Sequence, residues 1–311
     1  MIGSVAALAL GVQTWSTDVA AVTRFWRAAD ELDYARITYG DGLWDFTHDG
    51  WTMLGALAAV TGRARLGPAV TYAFDPAAHH PSWLAKRAVT VDHLSGGRLD
   101  LRLAVGAEAA ATRDAWERHG IRYPPAAARI AAVEEAVAIV RALWRGEVVD
   151  AKGRTFSVHG AQLSPLPVQR PGPPVWIAAM KPRALALAAR CADGWEASYV
   201  SPSGFAALSA RFDRLLEAAG RPPETVRRSV EVDVALVESP AERDAWIRRF
   251  CAARGLTASD PLLETTLIGD LEHVTDRIAA YAAAGATDLM LGFADFPDTR
   301  MLERLARALG R

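Results

Sequence analysis

Short apolar runs alternate with amphipathic segments along almost the whole chain. The runs Leu8–Val12, Ala35–Gly40, Ala64–Tyr72, Arg98–Val105, Pro174–Ala179, Ala192–Ser198, Ser229–Val237 and Thr287–Gly292 read as strands. Between them apolar residues recur at three- and four-residue steps, the period of a helix with one buried face. Val22, Phe25, Trp26, Ala29 and Leu32 form one such set; Ile130, Val133, Val137, Val140 and Leu143 form another. Pro81 and Pro240 sit where a first helical turn accepts proline, and Gly96 and Gly285 where helices stop. Strand–helix alternation implies a parallel sheet covered on both faces. Eight units in 311 residues fit a closed (β/α)₈ barrel, and no GxGxxG follows an early strand to suggest an open dinucleotide-binding sheet. The apolar start Val5–Val12 lacks a basic n-region and is read as the first buried strand.

One stretch breaks the rhythm. Arg145–Pro173 contains a hairpin over Val148–Val158, turning at Lys152-Gly153, and then a proline-rich run. It is expected as an insertion (residues 145–173) on the C-terminal side of the strands, before the fifth strand of a single domain spanning residues 1–311.

Composition narrows the function classes. With 51% hydrophobic and 23% charged residues, the chain suits a globular protein with a large core. A formal net charge of -1 argues against nucleic acid or a polybasic membrane surface as partner. No apolar run reaches the roughly 18–20 residues of a membrane span. Cys191 and Cys251 lie far apart, outside any CxxC or Cys/His metal spacing, so a reduced cytoplasmic protein without a metal is expected. No serine has a GxSxG setting and no cysteine a His/Asn context, which leaves the chemistry to a bound cofactor. Ten tryptophans, several near predicted strand ends, offer walls for a flat ring and an apolar small-molecule substrate.

Three segments in order resemble the luciferase-like flavin and coenzyme F420-dependent oxidoreductases. They are HPSWLAKRAVTVDHLSGGRLDL (His80–Leu101), PLPVQRPGPPVWIAAMKPRALALAARCADGW (Pro165–Trp195), and Ile268–Leu291 with Gly269, Val274, Arg277, Ile278 and Gly285. The resemblance implies a luciferase-like (β/α)₈ TIM barrel with coenzyme F420 or FMN over its mouth, at the C-terminal ends of the strands. It implies a non-proline cis peptide in the third strand, here Ala69–Val70, with Thr71 beside it. It also implies a phosphate held by backbone N–H groups at Gly106, Ala107 and Glu108 and at Ala178, Ala179, Met180 and Lys181. A homodimer is the family tendency.

Departures from the family pattern shape the catalytic expectation. The family's Asp-His pair after the second strand reads Asp41-Gly42 here, and the strand-four glycines read Leu101-Arg102-Leu103-Ala104-Val105-Gly106. Arg102 is expected to face the helices or the far end of the barrel. Asp41, flanked by glycines, becomes the acid–base or orienting group, with His79 and His80 after the third strand as further catalytic candidates. His48 and His119 are candidate pocket or surface residues. The first functional expectation is hydride transfer between F420 and a small organic substrate. The alternatives are an FMN-dependent monooxygenase fed by a partner flavin reductase, or a non-redox small-molecule-binding barrel that has lost its cofactor.

Overall fold

The structure, a computed structural model, describes residues 8–76 and 78–310. Its strands are β1 (Ala9–Thr14), β2 (Arg36–Tyr39), β3 (Arg65–Pro68), β4 (Leu101–Ala104), β5 (Val149–Lys152), β6 (Ser157–Ala161), β7 (Val175–Ala178), β8 (Gly194–Ser198), β9 (Arg227–Leu236), β10 (Leu267–Gly269) and β11 (Asp288–Phe293). The helices are α1 (Val19–Glu31), α2 (Gly50–Val60), α3 (Pro81–Leu94), α4 (Ala110–Glu117), α5 (Ala126–Trp144), α6 (Pro182–Cys191), α7 (Pro202–Ala218), α8 (Pro240–Arg254), α9 (Leu271–Ala283) and α10 (Arg300–Ala308). Parallel pairing runs β3-β2-β1-β11-β9-β8-β7-β4, and single bridges Leu66–Leu99 and Thr71–Leu103 bring β3 against the β4 side. Eight parallel strands thus form a nearly closed TIM barrel. The expected first strand is β1, shifted two residues later at its C-terminal end; residues 5–7 lie outside the described residues.

Two features differ from expectation. A further parallel strand, β10, pairs with the last turns of β9 through Leu267–Val234, Ile268–Ala235 and Gly269–Leu236. At three residues it is too short to leave a readable period. The insertion also lies elsewhere. A helix after a strand returns the chain to the N-terminal end of the barrel, so a segment between α5 and β7 must start and finish there, not on the C-terminal side. Gln169 accordingly bonds Arg65, Leu99 O and Asp92 beneath β3 and β4. The β5–β6 hairpin then climbs the outside of α3 and α5, where Glu135 accepts from the backbone N–H groups of Arg154, Thr155 and Phe156.

The barrel interior is unusual in its lower layers, which branched aliphatic side chains ordinarily fill. Arg36 bridges Asp100 at 3.3 Å and Asp288 at 3.0 Å; Arg65 joins Asp100 and Arg227 joins Asp288. One layer higher, Arg102 points into the barrel rather than at the helices, correcting the expectation from sequence. It pairs with Glu196, which also accepts from Ser229 Oγ at 2.9 Å. The Arg36 and Arg102 guanidiniums both lie over the Trp176 ring, 5.1 Å and 4.8 Å from its centre. Gly67 and Gly194 make room for Arg102 and Trp176; a Cβ at 194 would fall 2.2 Å from the indole. Buried charges tolerate this interior because each has an opposite charge in reach.

Candidate functional site

Towards the C-terminal ends of β2, β4 and β7 the side chains become small. Ala104 and Ala178 are register partners on β4 and β7, and Gly40 follows β2. The Ala69–Val70 peptide after β3 is cis, as the resemblance implied. Barrel enzymes place their sites at this end because loop side chains converge there over a rigid frame.

Beside this mouth, a cavity of about 400 Å³ is lined by Asp41, Trp44, His48, His79, Arg87, Trp116 and His119, among others. It brings Asp41 and His79 together. Asp41 is 5% exposed and accepts from Thr71 Oγ1, which in turn accepts from Trp51 Nε1 at 3.2 Å. Thr71 is therefore spent on positioning Asp41 and is fully buried. Gly50 opens α2 against Asp41, because a Cβ there would lie 2.6 Å from the Asp41 Cβ. Burial pushes the Asp41 carboxyl above the ordinary aspartate range; the His79 imidazole and the Thr71 hydroxyl pull it back. Burial likewise pushes His79 down, opposed by the Asp41 charge, and His79 Nδ1 has no hydrogen-bond partner. Such a pair is suited to hold and pass one proton.

The place of the family's missing histidine is filled. A Cβ on Gly42 would fall 2.5 Å from Trp44 Nε1, and Trp44 stacks on Phe46 at 6.1 Å. His80 is not brought into the cavity. It caps α3 by accepting from Ser82 N and meets Phe156 of the hairpin edge-on at 5.7 Å. His48 and His119 do line the cavity.

The β4 loop is held from behind by Arg129 of α5. This buried guanidinium donates to Val105 O at 2.7 Å, to Gly106 O and Pro124 O, and to Glu108 Oε1 at 2.6 Å. Tyr123 donates to Ala107 O at 2.7 Å. Gly106 has φ +79° and a Cβ there would meet Tyr123, so glycine is required. With the carbonyls turned to Arg129 and Tyr123, α4 begins at Ala109 with no side-chain cap, and α6 begins at Lys181 in the same way. Helix starts left without a side-chain cap suit an anion. One expected donor falls away: the Ala179 N–H is bonded to Glu196 O, and Ala179 O accepts from Trp195 Nε1. Met180 and Lys181 are exposed beside it.

Sequence reasoning missed the acidic face of β9. Glu231 and Asp233 stand two residues apart and so share the interior face. Glu231 accepts from Ser198 Oγ at 2.9 Å, and burial raises its carboxyl. Asp233 pairs with Arg254 of α8 at 2.7 Å, yet burial still pushes its carboxyl up to about 6. Tyr199, left-handed at φ 51°, lies beside both. Two charges alternating with valine, Glu231-Val232-Asp233-Val234, were the available signal.

A family model described as luciferase-like monooxygenase matches residues 3–288. Over 186 residues the chain is 33% identical to a phthiodiolone/phenolphthiodiolone dimycocerosates ketoreductase of Mycobacterium tuberculosis, covering 58% of this chain and 46% of that protein. The chain thus spans about half the length of the ketoreductases it matches. Among solved structures, an F420-dependent secondary alcohol dehydrogenase bound to an F420-acetone adduct superposes with TM-score 0.81 at 17% identity, covering 92% of this chain and 93% of that one. A long-chain alkane monooxygenase gives TM-score 0.77 at 14% identity, covering 97% and 91%. These two likenesses establish the fold.

Proposed function

Since the chain belongs to the luciferase-like monooxygenase family, a family of oxidoreductases, we propose that it transfers hydride between coenzyme F420 and a small carbonyl or alcohol. The observation that carries the reading is the buried Asp41–His79 pair on the cavity beside the mouth. Carbonyl reduction moves a proton as well as a hydride, and this pair gives the proton a holder shielded from water. Likeness to a ketoreductase and to an F420-dependent alcohol dehydrogenase supports the same class of reaction.

The residues present fit a flat, phosphate-bearing cofactor. Ala104, Ala178 and the Ala69–Val70 segment place short side chains at the mouth, and the starts of α4 and α6 carry no side-chain cap of their own. When bound there, the deazaflavin supplies the hydride donor or acceptor. Gly106–Glu108 and Met180–Lys181 would hold the phosphate, with Arg129 fixing the first loop from behind. Asp41 would orient the ring edge and hold a proton, with Thr71 setting its rotamer. Trp44 and Trp116 would exclude water from that edge. FMN is the second reading, and it would require a reductase partner. The exposed Trp83 and Leu94 of α3 suit a homodimer contact.

Parallel titrations with F420 and FMN, followed by absorbance, test the proposal. Saturable F420 binding and oxidation of reduced F420 by a ketone are expected. Binding of FMN alone, or of neither, would overturn it.

A further inference from the structure

One wall of the Asp41–His79 cavity is built outside the barrel strands and their covering helices. Trp116, His119 and Ile121 line it from the segment that follows β4, whereas Asp41, Trp44 and His79 line it from the loops after β2 and β3. We propose that residues 109–122 form a lid over this cavity, latched by the Trp116 indole, and that unlatching opens the way to His79. The inference stands on the geometry of the cavity and does not depend on which cofactor or substrate enters it.

The base of the segment is a clamp. Arg129 of α5 donates to Val105 O and Gly106 O at one end and to Pro124 O at the other, and Tyr123 donates to Ala107 O across the gap. The two ends are thereby held together, which is the construction of a compact surface loop that moves as a unit. Beyond the clamp the holds are few. Among the described residues, the hydrogen bonds of residues 109–121 stay within the segment. Arg113, Asp114, Glu117 and Arg118 are exposed, while Ala115 and Trp116 are buried. By contrast α5, next in the chain, buries a full face that includes Val133, Val137, Val140 and Leu143. Segments with few buried contacts and internal hydrogen bonds open locally while the rest of a domain stays folded.

The latch and the hinges are identifiable. Trp116 is 2% exposed, and its ring meets Tyr72 at 5.3 Å and Phe74 at 5.4 Å. Those two rings follow directly on Thr71, the residue that holds Asp41, so the seated indole and the cavity's carboxylate rest on one short stretch of chain. Gly106 is pinned by the clamp, which puts movement further out. One hinge is residues 107–109, where α4 starts with no side-chain cap. The other is Gly120, at φ +74°, where a Cβ would meet nothing within 4 Å. A glycine in open space is needed there for its left-handed backbone alone.

Trypsin and diethylpyrocarbonate test the two halves of the proposal on the purified protein. Arg113 and Arg118 are exposed trypsin sites on the segment, and cutting there requires the chain to leave its helix. His79, 7% exposed behind the lid, is acylated by diethylpyrocarbonate when the cavity opens, and fragment mass spectra separate it from His80. In Trp116→Ala both the cleavage and the acylation of His79 should accelerate at least ten-fold, with the urea midpoint nearly unchanged; Trp116→Phe should stay close to the parent protein. Unchanged cleavage in Trp116→Ala overturns the latch. Faster cleavage with unchanged acylation of His79 overturns the lid. If Trp116→Ala fails to fold or is cut throughout, hydrogen exchange of the parent protein decides. The N–H groups of residues 112–119 should then exchange at least a hundred-fold faster than those of residues 132–140 in α5, and equal protection overturns the proposal.

Discussion

The lower and upper halves of this barrel interior are built from the same strands and treat charge in opposite ways. Below, Arg36, Arg65, Arg227, Asp100 and Asp288 interlock, and Arg102 meets Glu196 and stacks on Trp176. Above, burial raises the carboxyls of Asp41 and Glu231, that of Asp233 is raised in spite of its pair with Arg254, and His79 Nδ1 has no hydrogen-bond partner. Position along a strand, rather than residue type, separates the two outcomes. A compensated charge belongs to the frame; an uncompensated polar group at the mouth is available for chemistry.

The largest effect should come from the frame. Asp288→Ala removes the buried carboxylate that Arg36 and Arg227 share, leaving Arg36 with Asp100 alone, and breaking a buried pair costs about 3–5 kcal/mol. Denaturant unfolding should show a loss of that order; a change below about 1 kcal/mol would mean the network is not structural.

Next comes Asp233, where the sign can be worked out. Its folded carboxyl titrates at about 6, above the ordinary aspartate value of roughly 4. Between these values the unfolded chain has released a proton that the folded protein keeps, so stability should fall as pH rises from about 4 to 6 and then level off. The two-unit gap corresponds to about 3 kcal/mol. Asp233→Asn should flatten this part of a melting-temperature profile, whereas parallel profiles would show that the carboxyl is not perturbed.

Asp41→Asn should cut turnover at least ten-fold, with cofactor affinity and melting temperature nearly unchanged. A variant that simply melts earlier would place Asp41 in the frame after all. The smallest effect is expected for Lys181→Ala, an exposed residue at the start of α6: less than five-fold in cofactor affinity if backbone N–H groups hold the phosphate. A hundred-fold loss would show that the side chain is the anchor.

Much of the frame was legible because its signals are local. Alternating strand and helix periods located all eight barrel strands, and the glycine-flanked Asp41 at the end of β2 stood out by position. Other features depend on which residues meet across the barrel. Arg102 looks misplaced in an apolar strand until Glu196, 94 positions later, is seen beside it. Asp41 and His79 each suggested chemistry separately, but their pairing is set by the fold. Glu231 and Asp233 are readable from the alternation in β9, although the strand ends in the apolar run Val234–Val237. His80 directly follows His79, yet one step along the chain places it before Pro81 as the cap of α3.

The close approach of Trp44 to Gly42 has a consequence for how this sequence can change. A side chain at 42 is blocked while the indole is in place, and shrinking Trp44 first opens the cavity wall to water. Restoring an Asp-His pair therefore requires the Trp44 indole to shift or to be replaced. Positions 42 and 44 are coupled through this contact, so a larger residue at 42 should be better tolerated beside a smaller one at 44.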